Sequence, residues 1–251
     1  MLRTFLIAIA VVSTACAQET EKDSLKTDTL DSTHKFKFKQ LIIPGALISY
    51  GVIGLGNDQL LSFNQQIRSE VNEDIDNKLT IDDFSQYLPA ASVYGLNAIG
   101  IKGKHNFRDR TIIMGTSYLL MSATVMGLKS TIKEKRPDGT DYNSFPSGHT
   151  ATAFAGAEFL WQEYKDVSVW YGISGYLVAT GTGLFRIYNN KHWLTDVAAG
   201  AGIGILSTKV AYWINPWIQE KIFRSKEGNS VSSIAPFYNG KQLGIGFVRT
   251  F

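Results

Sequence analysis

Three short polar stretches interrupt otherwise apolar runs, and each is rich in groups that suit a phosphate. The first runs from Lys129 to Pro137, where Lys129 and Arg136 are seven apart and would share a face if the segment is helical. Read alone, it is as well explained as a solvated basic helix end, because Lys133 and Lys135 lie in the same run. The second is Pro146-Ser147-Gly148-His149, directly before a helix-forming run. Ser147 and Gly148 put a hydroxyl and unhindered N–H groups at a helix N-terminus, where free donors and the dipole favour an anion. His149 beside them has the chemistry of a general acid for an oxygen leaving group. The plain alternative is a serine N-cap with an incidental histidine. The third stretch holds Arg186, His192 and Asp196. On a helix beginning near Lys191, Asp196 accepts from one nitrogen of His192 and leaves the other free to attack. Arg186 can grip two phosphate oxygens at once. The bland reading is a surface His–Asp helix pair worth about 0.2–0.5 kcal/mol.

The elements that must position these groups are apolar segments near Leu41 to Gly56, Pro89 to Ile101, Thr111 to Leu128, Thr150 to Gln162, Ser168 to Phe185 and Leu194 to Ile214. Apolar residues cover all faces of the stronger ones, which predicts helices buried on every side, in a bundle core or in lipid. The expected fold is an all-α bundle of about six apolar helices. Asn57 to Leu88, the longest connection, is acidic and amide-rich and predicts a surface cap with short amphipathic helices. The first polar stretch ends one long helix, the second opens the next, and the third joins the following pair. In an up-and-down bundle all three then lie at one end, roofed by the Asn57 to Leu88 connection. Independent surface decoration would not need that coincidence.

With these ordered patches in hand, the chain resembles the type 2 phosphatidic acid phosphatase (PAP2) superfamily. Lys129, six residues, then Arg136-Pro137 matches its first motif; Pro146 to His149 its second; Arg186, five residues, His192, three residues and Asp196 its third. The resemblance covers about Thr111 to Ile214. It departs at Phe185, where the family usually has a serine before the arginine, which removes one hydroxyl near the phosphate. The resemblance implies that His192 attacks phosphorus and forms a phosphohistidine, that Asp196 stabilises the imidazolium, and that His149 protonates the departing alkoxide and later activates water. Lys129, Arg136, Ser147, the Gly148 N–H and Arg186 would hold the equatorial oxygens, where charge concentrates in phosphoryl transfer. That chemistry needs no metal or other cofactor, and the sequence offers no evident carboxylate cluster to hold one. The same motifs resemble vanadium haloperoxidases, whose members are usually larger. A non-catalytic envelope protein is the third reading, disfavoured because buried charges are costly to retain without a ligand.

The apolar bundle favours a lipid phosphate over a soluble ester: phosphatidic acid, phosphatidylglycerol phosphate, an isoprenyl pyrophosphate or lipid A phosphate. An exported soluble acid phosphatase is the chief alternative. Apolar residues are 44% and charged ones 19% of 251, with a net charge of +3 and scattered basic residues, so no stripe suits nucleic acid. One domain is expected at this length. Residues 1–17 read as an export signal, with Arg3, an apolar run from Phe5 to Val12 and the cleavage site Ala15-Cys16-Ala17. An uncleaved anchor and lipidation at Cys16 are the alternatives. Residues 18–40 form a polar, flexible lead-in, 41–229 the helical domain, and 230–251 a hairpin extension, signalled by Asn239-Gly240 and by Leu243, Ile245, Phe247 and Phe251 on one face. A terminal Phe also resembles an outer-membrane barrel strand, but one hairpin cannot close a barrel. Lys35, Lys37, Lys39, Lys102, Lys104, Arg108, Lys221 and Arg224 cluster at the end opposite the pocket, which puts the pocket outside. A cleaved signal followed by six crossings would put it inside. The conflict disappears if Pro89 to Ile101, too short to span, does not cross, or if the bundle is not fully transmembrane.

Overall fold

The computed structural model describes residues 38–72, 80–223, 232–238 and 243–249. The export signal, most of the lead-in and the Asn239-Gly240 turn lie outside the described residues. Among those described, the helices are α1 (Ile42–Gly54), α2 (Asp58–Asn72), α3 (Ile81–Ser85), α4 (Leu88–Ala98), α5 (Phe107–Thr131), α6 (Gly148–Tyr164), α7 (Val169–Tyr188) and α8 (Leu194–Ile218). All six expected apolar segments are helical: they are α1 and α4 to α8. The expected cap contains the amphipathic α2 and the short α3. Strands β1 (Ser232–Tyr238) and β2 (Leu243–Arg249) pair antiparallel, with Ser232 opposite Arg249 and Tyr238 opposite Leu243.

Helix starts follow local chemistry. Asn57 accepts from the N–H groups of Gln59 and Leu60 at 3.0 and 3.1 Å, and Asn106 from that of Asp109 at 2.9 Å. The Asn106 cap explains why α5 begins before the apolar run that announces it.

Helix α8 is the centre of the bundle and packs against α1, α5 and α6. Its small residues, Ala198 to Gly202 and Gly204, are what let two helices approach at once. A Cβ at Gly200 would collide with the Ser147 carbonyl oxygen, and one at Gly204 with that of Ala151, both on α6. On another side, a Cβ at Gly202 would stand 2.7 Å from the Pro44 carbonyl of α1. Polar bonds set the register: Ser117 of α5 and Thr208 of α8 share a hydroxyl bond of 2.6 Å, and Thr208 donates to the Ala155 carbonyl of α6 at 3.0 Å.

Helices α5 and α8, the latter with its following turn to Lys221, are long and apolar enough to cross a membrane, and a third span exists if the bent pair α1–α2 counts as one. By contrast α4 has 11 residues, too few to span. The outer face of the bundle carries Leu119, Met126, Trp170 and Leu177, each about 70% exposed, an apolar belt of the kind lipid covers.

Gly200→Ala should therefore destabilise the bundle by about 1–3 kcal/mol through overpacking. Gly115→Ala on α5, where a Cβ meets nothing within 4 Å, should be neutral or stabilising by up to about 1 kcal/mol. Thermal unfolding of both variants in detergent checks this; equal midpoints would contradict the packing.

Candidate active site

The close approach of α6 and α8 brings the second and third patches together. Ser147 donates its N–H to the Asp196 carbonyl at 3.0 Å. Its side chain is fully buried, 2.8 Å from Thr150 Oγ1, and accepts from the Thr150 N–H at 3.5 Å. The serine is thus the N-cap of α6, with its hydroxyl turned to the helix. Gly148 follows at the first helical position, where a Cβ would meet only Val125 at 3.8 Å, so packing does not demand a glycine.

His192 and Asp196 meet differently from the expected helical pair. Helix α8 begins at Leu194, so His192 precedes it and Asp196 sits in its first turn. Asp196 Oδ2 accepts from the Trp193 N–H at 2.8 Å and from Ser144 Oγ at 2.5 Å. His192 Nδ1 stands 3.7 Å from that oxygen, within ion-pair range and beyond a hydrogen bond. Free N–H groups at a helix start compete for a first-turn carboxylate, and here they take one oxygen. Asp196 Oδ1 and His192 Nδ1 are buried without a hydrogen-bond partner among the described residues.

The first patch also departs from a single helix face. Helix α5 stops at Thr131, so Arg136 lies in the following loop. Asn143 brings the two cations together: Lys129 Nζ donates to its carbonyl at 2.5 Å and Arg136 Nε to its side-chain oxygen at 2.8 Å. Lys129, Arg186 and Asp196 all act electrostatically on buried His192. Arg186 itself ends α7 and is 8% exposed.

Helices α2 and α3 roof this cluster. Asn64 of α2 donates to Thr195 Oγ1 at 2.9 Å, and Arg68 to Asn190 Oδ1 at 2.6 Å. From α3, Asp82 accepts from Arg186 Nη1 and from Asn189 Nδ2, and Asp83 lies 2.9 Å from His149 Nε2. Asp82, Asp83 and His149 place one ligand-type atom each within 4.8 Å of one another. That corrects the expectation that no such cluster exists. Two of the three already have partners in the site: Arg186 for Asp82, and Asp83 for His149. Beside the cluster, Asn64, Gln65, Arg136, Asp138 and Trp193 line a cavity of about 400 Å³.

Residues 110–220 match the PAP2 superfamily. That match takes in all three motifs, from Lys129 to Asp196. It is 37% identical over 170 residues to the lipid A 1-phosphatase of Porphyromonas gingivalis, covering 64% of this chain and 38% of that protein. It is 36% identical over 98 residues to the probable lipid phosphate phosphatase 4 of Arabidopsis thaliana, covering 34% of this chain and 30% of that one. The chain thus spans less than two fifths of the length of these curated relatives. Among solved structures, the transmembrane PAP2-type phosphatidylglycerolphosphate phosphatase of Bacillus subtilis is 25% identical with a TM-score of 0.47, covering 73% of this chain and 99% of that one. With two helices long and apolar enough to cross a membrane, the protein is membrane-associated.

The eight candidate site residues, Lys129, Arg136, Ser147, Gly148, His149, Arg186, His192 and Asp196, lie at this end of the bundle. Four further residues were missed by motif reading: Asp82, Asp83, Asn143 and Ser144. Their signal was faint, an acidic pair in a polar connection and two polar residues in a loop. Phe185, the departure from the PAP2 pattern, packs edge-on against Tyr188 with centroids 6.0 Å apart.

Burial pushes the His192 pKa down to about 4, with Arg186 and Lys129 lowering it further and Asp196 opposing them. The imidazole is therefore neutral well below the ~6.5 of a free histidine. NMR titration of ring-labelled histidines, assigned with His192→Asn, should show His192 uncharged at pH 5.5. A midpoint at or above the free value would overturn this electrostatic picture.

Proposed function

We propose that this protein is a metal-independent phosphatase that hydrolyses phosphate monoesters of a membrane lipid through a phosphohistidine. The observation that carries the reading is that adjacent Asp82 and Asp83 of α3 hold Arg186 and His149, while the His192 N–H donates to the Arg186 carbonyl at 3.3 Å. A neutral, buried imidazole is a competent nucleophile. His192 Nε2 attacks phosphorus as the ester P–O bond breaks, and His149 gives its proton to the departing alkoxide. Asp196, 3.7 Å from Nδ1, stabilises the imidazolium that forms. Water then attacks the phosphohistidine, His149 takes its proton, and inorganic phosphate leaves.

Lys129, Arg136, Arg186 and the Gly148 N–H are the candidate ligands for the three equatorial oxygens. Ser147 contributes mainly by capping α6, which holds Gly148 and His149 in place. The lipid substrate is supported by the apolar belt of the bundle and by two relatives whose names contain a lipid or lipid A phosphate activity. The cavity lined by Arg136, Asn64 and Trp193 has room for part of the head group that carries the phosphate. The basic residues Lys102, Lys104 and Arg108 flank the start of α5, at the opposite end from Lys129, which supports an extracytoplasmic pocket in an exported, membrane-associated protein.

His192→Ala should lower turnover by at least about 10⁴-fold, as expected when a nucleophile is removed. Acid-labile phosphoenzyme should be trapped in the wild type and be missing from the variant, and EDTA should leave the wild-type rate unchanged. Normal turnover by His192→Ala, or activity lost in EDTA and restored by zinc or magnesium, would sink the mechanism.

Vanadate resembles the trigonal-bipyramidal transition state and should inhibit competitively, at least about 100-fold tighter than substrate binds. Arg136→Ala should weaken that inhibition while the fold survives, since Arg136 is half-exposed in a loop. Arg186→Ala is a poorer probe, because it strands buried Asp82, a loss of about 3–5 kcal/mol. An unchanged vanadate constant for Arg136→Ala places that residue outside the phosphate site.

A further inference from the structure

Helix α3 has five residues and carries two adjacent carboxylates, each bonded to a different residue of the pocket. Asp82 is 1% exposed and holds Arg186 Nη1 and the Asn189 amide, the latter at 3.0 Å. Asp83 lies at the mouth, half-exposed, with Oδ1 2.9 Å from His149 Nε2. The helix is itself anchored, since Ser85 Oγ and Thr182 Oγ1 of α7 are 2.8 Å apart. A loosely laid cap would need none of these bonds.

We propose that α3 is a positioning element of the catalytic site, in which Asp83 orients His149 as the proton donor and Asp82 fixes the guanidinium of Arg186. The inference rests on the phosphatase reading above. Its physical content is a division of labour between neighbouring residues. A carboxylate on one imidazole nitrogen selects the tautomer and ring orientation and leaves the other nitrogen facing the substrate. For His149 the bonded nitrogen is Nε2, so Nδ1 is the one that carries the proton to the leaving oxygen. Asp82 holds Arg186 by one nitrogen, and Arg186 Nε is left without a hydrogen-bond partner among the described residues, as a donor for phosphate. Pinning a long, flexible cation beforehand lowers the ordering cost when substrate arrives.

The charged groups that face His149 are Arg186 from α7 and Asp82 and Asp83 from α3. Burial lowers the His149 pKa and Arg186 lowers it further, while Asp83 and Asp82 raise it. A general acid works only while protonated, so activity falls as pH rises through its pKa. Removing the Asp83 charge takes away part of the upward contribution and moves that alkaline limb to lower pH.

The test uses the full chain in detergent micelles with two substrates. Short-chain phosphatidic acid expels an alkoxide that needs a proton, whereas p-nitrophenyl phosphate expels a phenolate that does not. Asp83→Asn should lower kcat on phosphatidic acid about tenfold, a fraction of what general-acid catalysis supplies, with KM nearly unchanged and the alkaline limb displaced acidward. The pre-steady-state burst of p-nitrophenolate, which precedes the water step that His149 also serves, should slow less than about twofold, and Asp83→Glu should recover most of the phosphatidic acid rate. Equal losses in that burst and in phosphatidic acid turnover would mean that Asp83 serves only the fold, and would overturn the proposal. So would unaltered kcat and pH dependence, or faster turnover, which would mark Asp83 as a group that blocks His149. His149→Ala separates the two readings. If it retains wild-type turnover of phosphatidic acid, the phosphatase mechanism fails and the inference with it. If it is inert while Asp83→Asn is unchanged, the inference alone fails.

Discussion

A carbonyl oxygen of α6, that of Ser147, occupies the space that any side chain at position 200 of α8 would need. The two helices can meet there because residue 200 is glycine, and the contact lies one turn from Asp196. Ser147 therefore donates to the Asp196 backbone, and the histidines that follow and precede these positions come to face one arginine. Motifs some fifty residues apart in the chain become one site through an absent Cβ. Side-chain chemistry at the pocket then depends on helix packing that has no chemistry of its own.

Close packing also imposes an electrostatic constraint. Lys129 and Arg136 are part-buried and Arg186 is almost fully buried, and such charges stay only if something opposite answers them. Asp82 answers Arg186 and the carbonyls of residues 143 and 144 answer Lys129. Among the described residues, Arg186 Nε, His192 Nδ1 and Asp196 Oδ1 nevertheless stay without hydrogen-bond partners. Native interiors satisfy nearly all such groups, so several at one end of the bundle mark a place that something polar could complete. A phosphate dianion would meet the arginine directly. Charge placed on His192 by its attack would draw Asp196 the remaining distance, as catalytic hydrogen bonds often tighten beyond their resting geometry.

Much of this was legible in the residues themselves, and the parts that were not share a cause. The six apolar helices and their common polar end follow from hydrophobic runs and alternating direction, which are properties of the chain that local sequence records. Spacing misled where it was converted to helical geometry. Lys129 with Arg136, and His192 with Asp196, have helical intervals, yet α5 ends at Thr131 and α8 begins at Leu194, so neither pair shares a helix. Their meeting depends on loop residues, Asn143 and Ser144, whose hydrogen bonds no periodicity encodes. Asp82 and Asp83 escaped for the same reason: an acidic pair in a polar connection looks like solvated surface until the fold lays it over Arg186 and His149. Ser147 shows the converse. Its motif position suggested a phosphate ligand, while the ordinary rule of helix capping describes what its hydroxyl does.

The far end of the bundle explains how the near end stays in register. There Glu163 of α6 joins Arg110 of α5, His105 ahead of α5 and Tyr212 of α8 in one buried cluster, with the His105 and Tyr212 bonds at 2.7 and 2.6 Å. Midway, the shared hydroxyls of Ser117 and Thr208 tie α5 to α8, and Lys209 of α8 meets Glu158 of α6 at 2.6 Å. Apolar faces alone would let α5, α6 and α8 slide, since neighbouring lipid is as apolar as leucine and every shifted register buries similar surface. Buried polar bonds have one satisfied arrangement, and a slip of one residue leaves several donors and acceptors stranded. Fixing three helices at the far end and the middle leaves their near ends with no freedom along the axis. The separation between Lys129 at the end of α5, His149 at the start of α6 and Asp196 at the start of α8 is thereby determined before any ligand enters.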